Sequence, residues 1–135
     1  MGLAYGAEIY VGYDFRAEDV LKLPRVNDIR KMLDVHMEGD YDDDLLLEYL
    51  AKDLEAKAHL YGDSRFPYQS IVFTPINHPE ITSERDVIRD FSYGGDLQYS
   101  SVKSIEPDLD KLGEKLSLIG LNVGVPKIVL AWTVD

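Results

Sequence analysis

Residues 42–62 read DDDLLLEYLAKDLEAKAHLYG. Leu47, Leu50, Leu54, Ala58 and Tyr61 recur at helical spacing and Leu46 widens the stripe, so the sequence predicts one amphipathic helix across the stretch. Asp42, Asp43 and Asp44 fall at its cap and first turn, where carboxylates accept unpaired N–H groups and meet the positive end of the helix dipole. Glu48 with Lys52, and Asp53 with Lys57, stand four residues apart in the favoured order, worth about 0.3–0.5 kcal/mol per pair. His59 falls in the expected last turn, where an imidazolium is favoured, and Gly62 where a left-handed residue ends the helix.

The same region carries most of the charge. From Asp34 to Glu55 there are nine acids against the single base Lys52, a net of −8 out of −11 for the 135-residue chain. Helix construction accounts for Asp42 to Asp44 and for Glu48. Glu38 and Asp40 lie before the cap and are not explained that way.

Upstream, Ala7, Ile9, Val11, Tyr13 and Phe15 alternate with Glu8, Tyr10, Gly12 and Asp14, the period of a strand with one buried face. Gly12 in its middle signals a bulge or a close backbone approach. A short helical turn is expected over Ala17 to Leu23, stopped by Pro24. A second helix is expected from an Asn27 cap to about Met37, with Gly39 as its stop.

Downstream, Tyr68 to Ile76 reads as a strand that Pro75 brings to an edge or an end, and Ile71, Val72 and Phe73 place apolar groups on both its faces. Residues 82–101 fit either a hairpin turning at Gly94-Gly95 or a short capped helix from Ser83, and the alternation of Val87, Arg89, Phe91 and Tyr93 favours the hairpin. Pro107 is placed to start a helix with Leu109, Leu112, Leu116 and Ile119 on one face and Gly120 at its end. Lys127 to Val134 is a strand, and its apolar residues on both faces predict a central position. The resulting order is that of an α+β (or mixed α/β) fold: a single mixed or antiparallel sheet of about four to five strands, with about two to three helices packed on one face. The whole of 1–135 is expected as one compact domain.

Composition excludes several functions. With no cysteine, disulfides, thiolate metal sites and cysteine nucleophiles are out. The net charge of −11 makes direct binding to nucleic-acid phosphates or an anionic membrane unfavourable. No apolar run approaches the roughly 20 residues that span a bilayer, and the first residues lack a signal-peptide pattern, so a soluble, cytoplasmic protein is expected.

Motifs are few. Counted from Asp40, a calcium loop would need Gly at Leu45 and Glu at Ala51, so the acidic run is not an EF-hand. His36, His59 and His78 show no metal-ligand spacing, and no metal or cofactor is expected. His36 borders the apolar stripe of its helix, which reads as packing. Phosphate-binding glycine loops are absent. His78, in a loop after a strand, is the weak candidate for a catalytic residue, with turn formation as its plainer role. Arg85 and Arg89, with Arg65, are weak candidates for gripping an anion. Their neighbours Glu84, Asp86 and Asp90 make surface ion pairs the simpler reading.

Nine tyrosines are present. Tyr13, Tyr49 and Tyr61 fall on apolar faces, while Tyr10 and Tyr41 are placed for contact with a partner. Together these features favour a non-enzymatic acidic interaction protein that binds a basic protein surface through Glu38, Asp40, Tyr41, Asp42, Asp43, Asp44 and Glu48. An inhibitor or accessory protein of viral or mobile-element type is one form of it. The alternatives are a small-ligand binder or enzyme with a loop site around His78, and a structural subunit of an assembly.

Overall fold

Asp42 opens the acidic helix: its carboxylate accepts the N–H of Leu45 at 3.1 Å. The computed structural model describes residues 8–63, 70–77, 106–131 and 133–134. In it the helix α3 runs Asp43–Asp53 and buries Leu46, Leu47, Leu50 and Ala51. It is shorter than its apolar stripe suggests. Leu54 caps it, and Glu55 takes the left-handed conformation (φ 52°) with its N–H on the carbonyl of Lys52. The chain then leaves as strand β2, Ala56–Asp63. Ala58, His59 and Tyr61 are therefore strand residues, and Gly62 lies within the strand rather than ending a helix.

Both expected ion pairs of this helix change. Lys57 is on β2, and Asp53 instead meets the Arg25 guanidinium at 2.5 Å. Lys52 lies over the ring of Tyr49, its Nζ 5.3 Å from the centroid, rather than against Glu48.

The strand β1 spans Glu8–Arg16 and leads directly into the one-turn helix α1, Ala17–Leu21. Helix α2 spans Pro24–Met37. It begins three residues before the expected Asn27 because Pro24, whose fixed φ suits the first helical position, starts it instead of only ending α1. Leu23 before it is extended, as a residue preceding proline must be. Asn27 sits inside the helix, where its side chain accepts from Arg30 at 2.8 Å.

Strand β3 spans Ser70–Pro75, and helix α4 spans Glu106–Leu118. At the end of α4, Leu121 N–H reaches Leu116 and Gly120 N–H reaches Ser117, both at 3.1 Å, with Gly120 at φ 106°. That is the paired bonding of a glycine-terminated helix, as its sequence predicts. The last strand forms two segments, β4 (Lys127–Ala131) and β5 (Thr133–Val134).

The strands make one sheet in the order β4-β1-β3-β2-β5, antiparallel except where β5 runs parallel to β2 at Gly62 and Asp63. This is an α+β fold, and the described residues include four helices, α1 being the single turn expected after β1. The last strand, whose apolar residues suggested a central place, is split among the described residues: β4 lies at one end of the order, paired through Glu8–Gly12 of β1, and β5 at the other, beside β2. The doubly covered strand is β3, whose Ile71, Val72 and Phe73 are all fully buried.

Register sorts the side chains. Val11, Tyr13, Ile71, Phe73 and Ala56 face the helices and join Val20, Ile29, Leu33, Leu50, Leu109 and Leu116 in one core. The other face carries Tyr10, Asp14, Val72, Thr74, His59 and Tyr61. β1 changes partner at Gly12, pairing with β4 before it and β3 after it. A Cβ there would lie 2.1 Å from the carbonyl oxygen of Phe73, so the close approach signalled by this glycine is real. The sheet is strongly curled: Tyr10 and His59 stack with centroids 3.9 Å apart although β3 runs between their strands.

The 82–101 segment, whether hairpin or helix, lies outside the described residues.

Candidate functional site

The acidic junction between α2 and α3 is built by local rules. α2 stops because Glu38 and Gly39 both adopt positive φ, 53° and 80°, and the N–H of Asp40 closes the turn onto Met37 at 2.9 Å. Gly39 has no atom near the position of a missing Cβ, so its conformation, not crowding, is what asks for glycine. Asp42 then caps α3 and places Asp43 and Asp44 in its first turn.

Tyr41 fixes this turn against α2. Its hydroxyl donates to Asp34 at 2.5 Å and lies 3.3 Å from the carbonyl of Arg30, and its half-buried ring packs on the core. The hydrogen bond to the Asp34 carboxylate, which favours the protonated phenol, is the first cause of its raised pKa. Tyr41 is therefore turned inward as an anchor. Asp34, counted with the acidic run in the sequence, is occupied by it.

Glu38, Asp40, Asp42, Asp43, Asp44 and Glu48 are exposed. Among the described residues none of the six forms an ion pair with a base. Partial burial raises the pKa of Asp44, and the negative charges of Asp42, Asp43 and Glu48 raise it further. These carboxylates crowd one another, and a cation or a basic surface would relieve them. Asp40, Asp42, Asp44 and Glu48 line a shallow, open concavity with Gly39, Tyr41 and Leu45. Among the described residues, no group of three His, Asp or Glu side chains is arranged to hold a metal ion.

A second polar group, not anticipated from the sequence, lies on the sheet face away from the helices. A ring nitrogen of His59 is 3.1 Å from the hydroxyl of Thr74, and the ring stacks on Tyr10. Beside it Asp14 accepts from Tyr61 at 3.3 Å and meets Lys127 at 3.6 Å. A hydroxyl against an imidazole is the arrangement of an activated nucleophile. Thr74, however, is completely buried, so the contact satisfies a polar group inside the sheet rather than presenting one to a substrate.

His59 thus belongs to a sheet face, not a helix end. His36 is exposed in the last turn of α2 and does not pack into the core. His78, Arg65, Arg85 and Arg89 lie outside the described residues.

Protein-family models, curated proteins and solved structures give no match to this chain.

Proposed function

We propose that this is a non-enzymatic interaction protein that offers the α2–α3 junction to a basic surface on another protein. The observation that carries the reading is a turn, tied by Tyr41 to Asp34 and capped by Asp42, with six exposed carboxylates, none of them ion-paired among the described residues. A partner bearing lysine or arginine would exchange carboxylate crowding for attraction, and the field of such a patch speeds and orients encounter. A net charge of −11 disfavours nucleic acid as the direct partner under the same argument. An intracellular inhibitor or accessory protein is the setting that fits such a surface.

The test is capture of partners from the native host by the wild-type chain and by a variant with Asp40, Asp42, Asp43 and Asp44 all changed to Asn. Asparagine caps a helix about as well as aspartate, so α3 is retained while the charge is removed. The expected result is a basic partner held by the wild type at low salt, released by added salt and lost from the variant. Equal, salt-insensitive capture by both chains overturns the reading.

A further inference from the structure

Charge steers a basic partner to the α2–α3 junction but holds it weakly, because exposed ion pairs are screened by salt. Protein interfaces hold through an apolar centre inside a polar rim. The surface beside the junction has such a centre. Among the described residues the exposed large apolar side chains are Met32, Val35, Met37, Ile76, Leu118 and Val125. Three of the six fall in the last two turns of α2.

Helix geometry places them. Val26, Ile29 and Leu33 form the buried stripe of α2. Val35 lies about 200° round the helix from Leu33, on the side away from the core. It is 77% exposed. Neither core packing nor helix propensity accounts for a β-branched apolar residue there. Asp28, Met32 and Val35 follow at intervals of four and three, the spacing by which one helix lies along another.

The charge around this patch is unbalanced. From residue 31 to 44, Lys31 is the single lysine or arginine against six acids. Of these Asp34 is bound by Tyr41, and Glu38, Asp40, Asp42, Asp43 and Asp44 are exposed without an ion pair among the described residues. Met37 and Glu38 are consecutive, so apolar patch and acidic junction form one surface.

We infer that the partner's basic segment is an amphipathic helix that docks on this surface. Its apolar side lies on Met32 and Val35, and its lysine or arginine side chains reach Glu38, Asp40 and the first turn of α3. Met32 and Val35 stand roughly one turn apart, about 5 Å, which matches the repeat of a second helix better than the roughly 6.8 Å between same-side residues of an extended chain. Apolar anchors at such spacing are how amphipathic helices are recognised. The net charge of −11 opposes the other occupant, a second copy of this chain. The inference rests on the basic-partner reading above and adds the source of affinity and the shape of the segment.

The probe is a short peptide of lysine and leucine, with leucine recurring at three and four residues so that one helical face is apolar. It is titrated into the full isotope-labelled chain and followed by amide and methyl spectra. A second peptide has the same composition in an order that gives no apolar face. Shifts of the Val35 methyl groups and of the Met32, Val35 and Glu38 amides are expected, with the reordered peptide binding about tenfold more weakly, the scale of one apolar side chain left uncovered. Val35→Ser should weaken the amphipathic peptide by a similar factor and leave the thermal midpoint unchanged, since the two residues have similar helix propensity.

Shifts confined to residues 38–48, with equal affinity for both peptides and no effect of Val35→Ser, overturn the apolar centre and leave the acidic-surface reading standing. Equal binding of a glutamate–leucine peptide of the same pattern overturns the charge argument. Shifts of the Val35 methyl groups on concentrating the chain alone assign the patch to a second copy and overturn the basic helix. No shift on α2 at millimolar peptide overturns the inference outright, and the host capture decides the broader reading independently.

Discussion

The hydroxyl of Tyr13 on β1 donates to the carbonyl oxygen of Leu109 on α4 across 2.9 Å, in the core and between residues 96 apart in sequence. Gly113, one turn further along α4, is the room this arrangement needs: a Cβ there would lie 2.7 Å from the same hydroxyl oxygen. A glycine in a helix interior costs about 1 kcal/mol relative to alanine. Here it lets the phenol pass between helix and sheet.

A double-mutant cycle follows from that geometry. Tyr13→Phe should cost about 1 kcal/mol, the net value of a buried hydrogen bond. Gly113→Ala should cost about 1–3 kcal/mol by overpacking, despite the better helix propensity of alanine. Removing the hydroxyl removes the nearest obstacle to the new methyl group, so the two changes together should cost less than their sum. Urea midpoints of the four proteins measure the coupling. Strict additivity would mean that the hydroxyl and residue 113 do not share this space.

Glu55 makes a different prediction. It holds a left-handed φ of 52° at the end of α3, a conformation that costs a residue with a Cβ about 1–2 kcal/mol. Its ion pair with Lys115, at 3.4 Å, is largely exposed and contributes little. Glu55→Gly should therefore stabilise the protein by about 0.5–1 kcal/mol, read as a higher thermal midpoint. Glu55→Val, β-branched at the same angle, should lower it.

That residue also marks where the sequence misleads. Leu54 and Ala58 are four apart, a separation that shares a face in a helix and in a strand alike. The alternation of Ala56, Ala58 and Leu60 with Lys57, His59 and Tyr61 was a strand signal, outweighed by the longer helical stripe ahead of it. Antiparallel pairing with β3, the next strand along the chain, settles between the two periods. The acidic junction was legible because capping and first-turn charge are local rules. The Tyr10–His59 stack and the Asp14–Tyr61–Lys127 group were not, since both depend on strand register. The split of the last strand between β1 and β2 was hidden for a related reason: apolar residues on both faces report coverage, not which strands supply it.

Among the described residues, three tyrosines have pKa values raised above the ordinary phenol value. Burial raises the pKa of Tyr13, assisted by the Asp110 charge, and burial likewise raises Tyr61, assisted by Asp14. Tyr41 is raised first by its bond to Asp34. A phenol whose folded pKa exceeds its unfolded value of about 10 contributes stability that is complete below that pH and disappears as pH rises through the folded value. The thermal midpoint should hold up to about pH 10 and then fall. Tyr13→Phe should flatten part of that fall, while ultraviolet titration of the wild type should show phenolate appearing later than in the unfolded chain.

Asp44 gives the acid-side counterpart and probes the crowding at the junction directly. Its folded pKa is raised, by partial burial first and then by Asp42, Asp43 and Glu48, so its charged form is less favourable in the folded chain than in the unfolded one. The sign is opposite to that of a salt-bridged carboxylate. The group contributes stability below its unfolded pKa of about 3.9, where it is protonated in both states, and loses that contribution as pH rises through the folded value. Asp44→Asn should therefore raise the thermal midpoint at pH 7 by a small amount and leave it unchanged below about pH 3. Added salt should shrink the part of the gain at pH 7 that comes from the neighbouring charges, because exposed carboxylates are screened over about 10 Å at 0.1 M. A loss of stability at pH 7 would mean that the Asp44 charge is already compensated in the free protein, by the helix dipole or by a base. The junction would then have no uncompensated charge at this position to offer a partner.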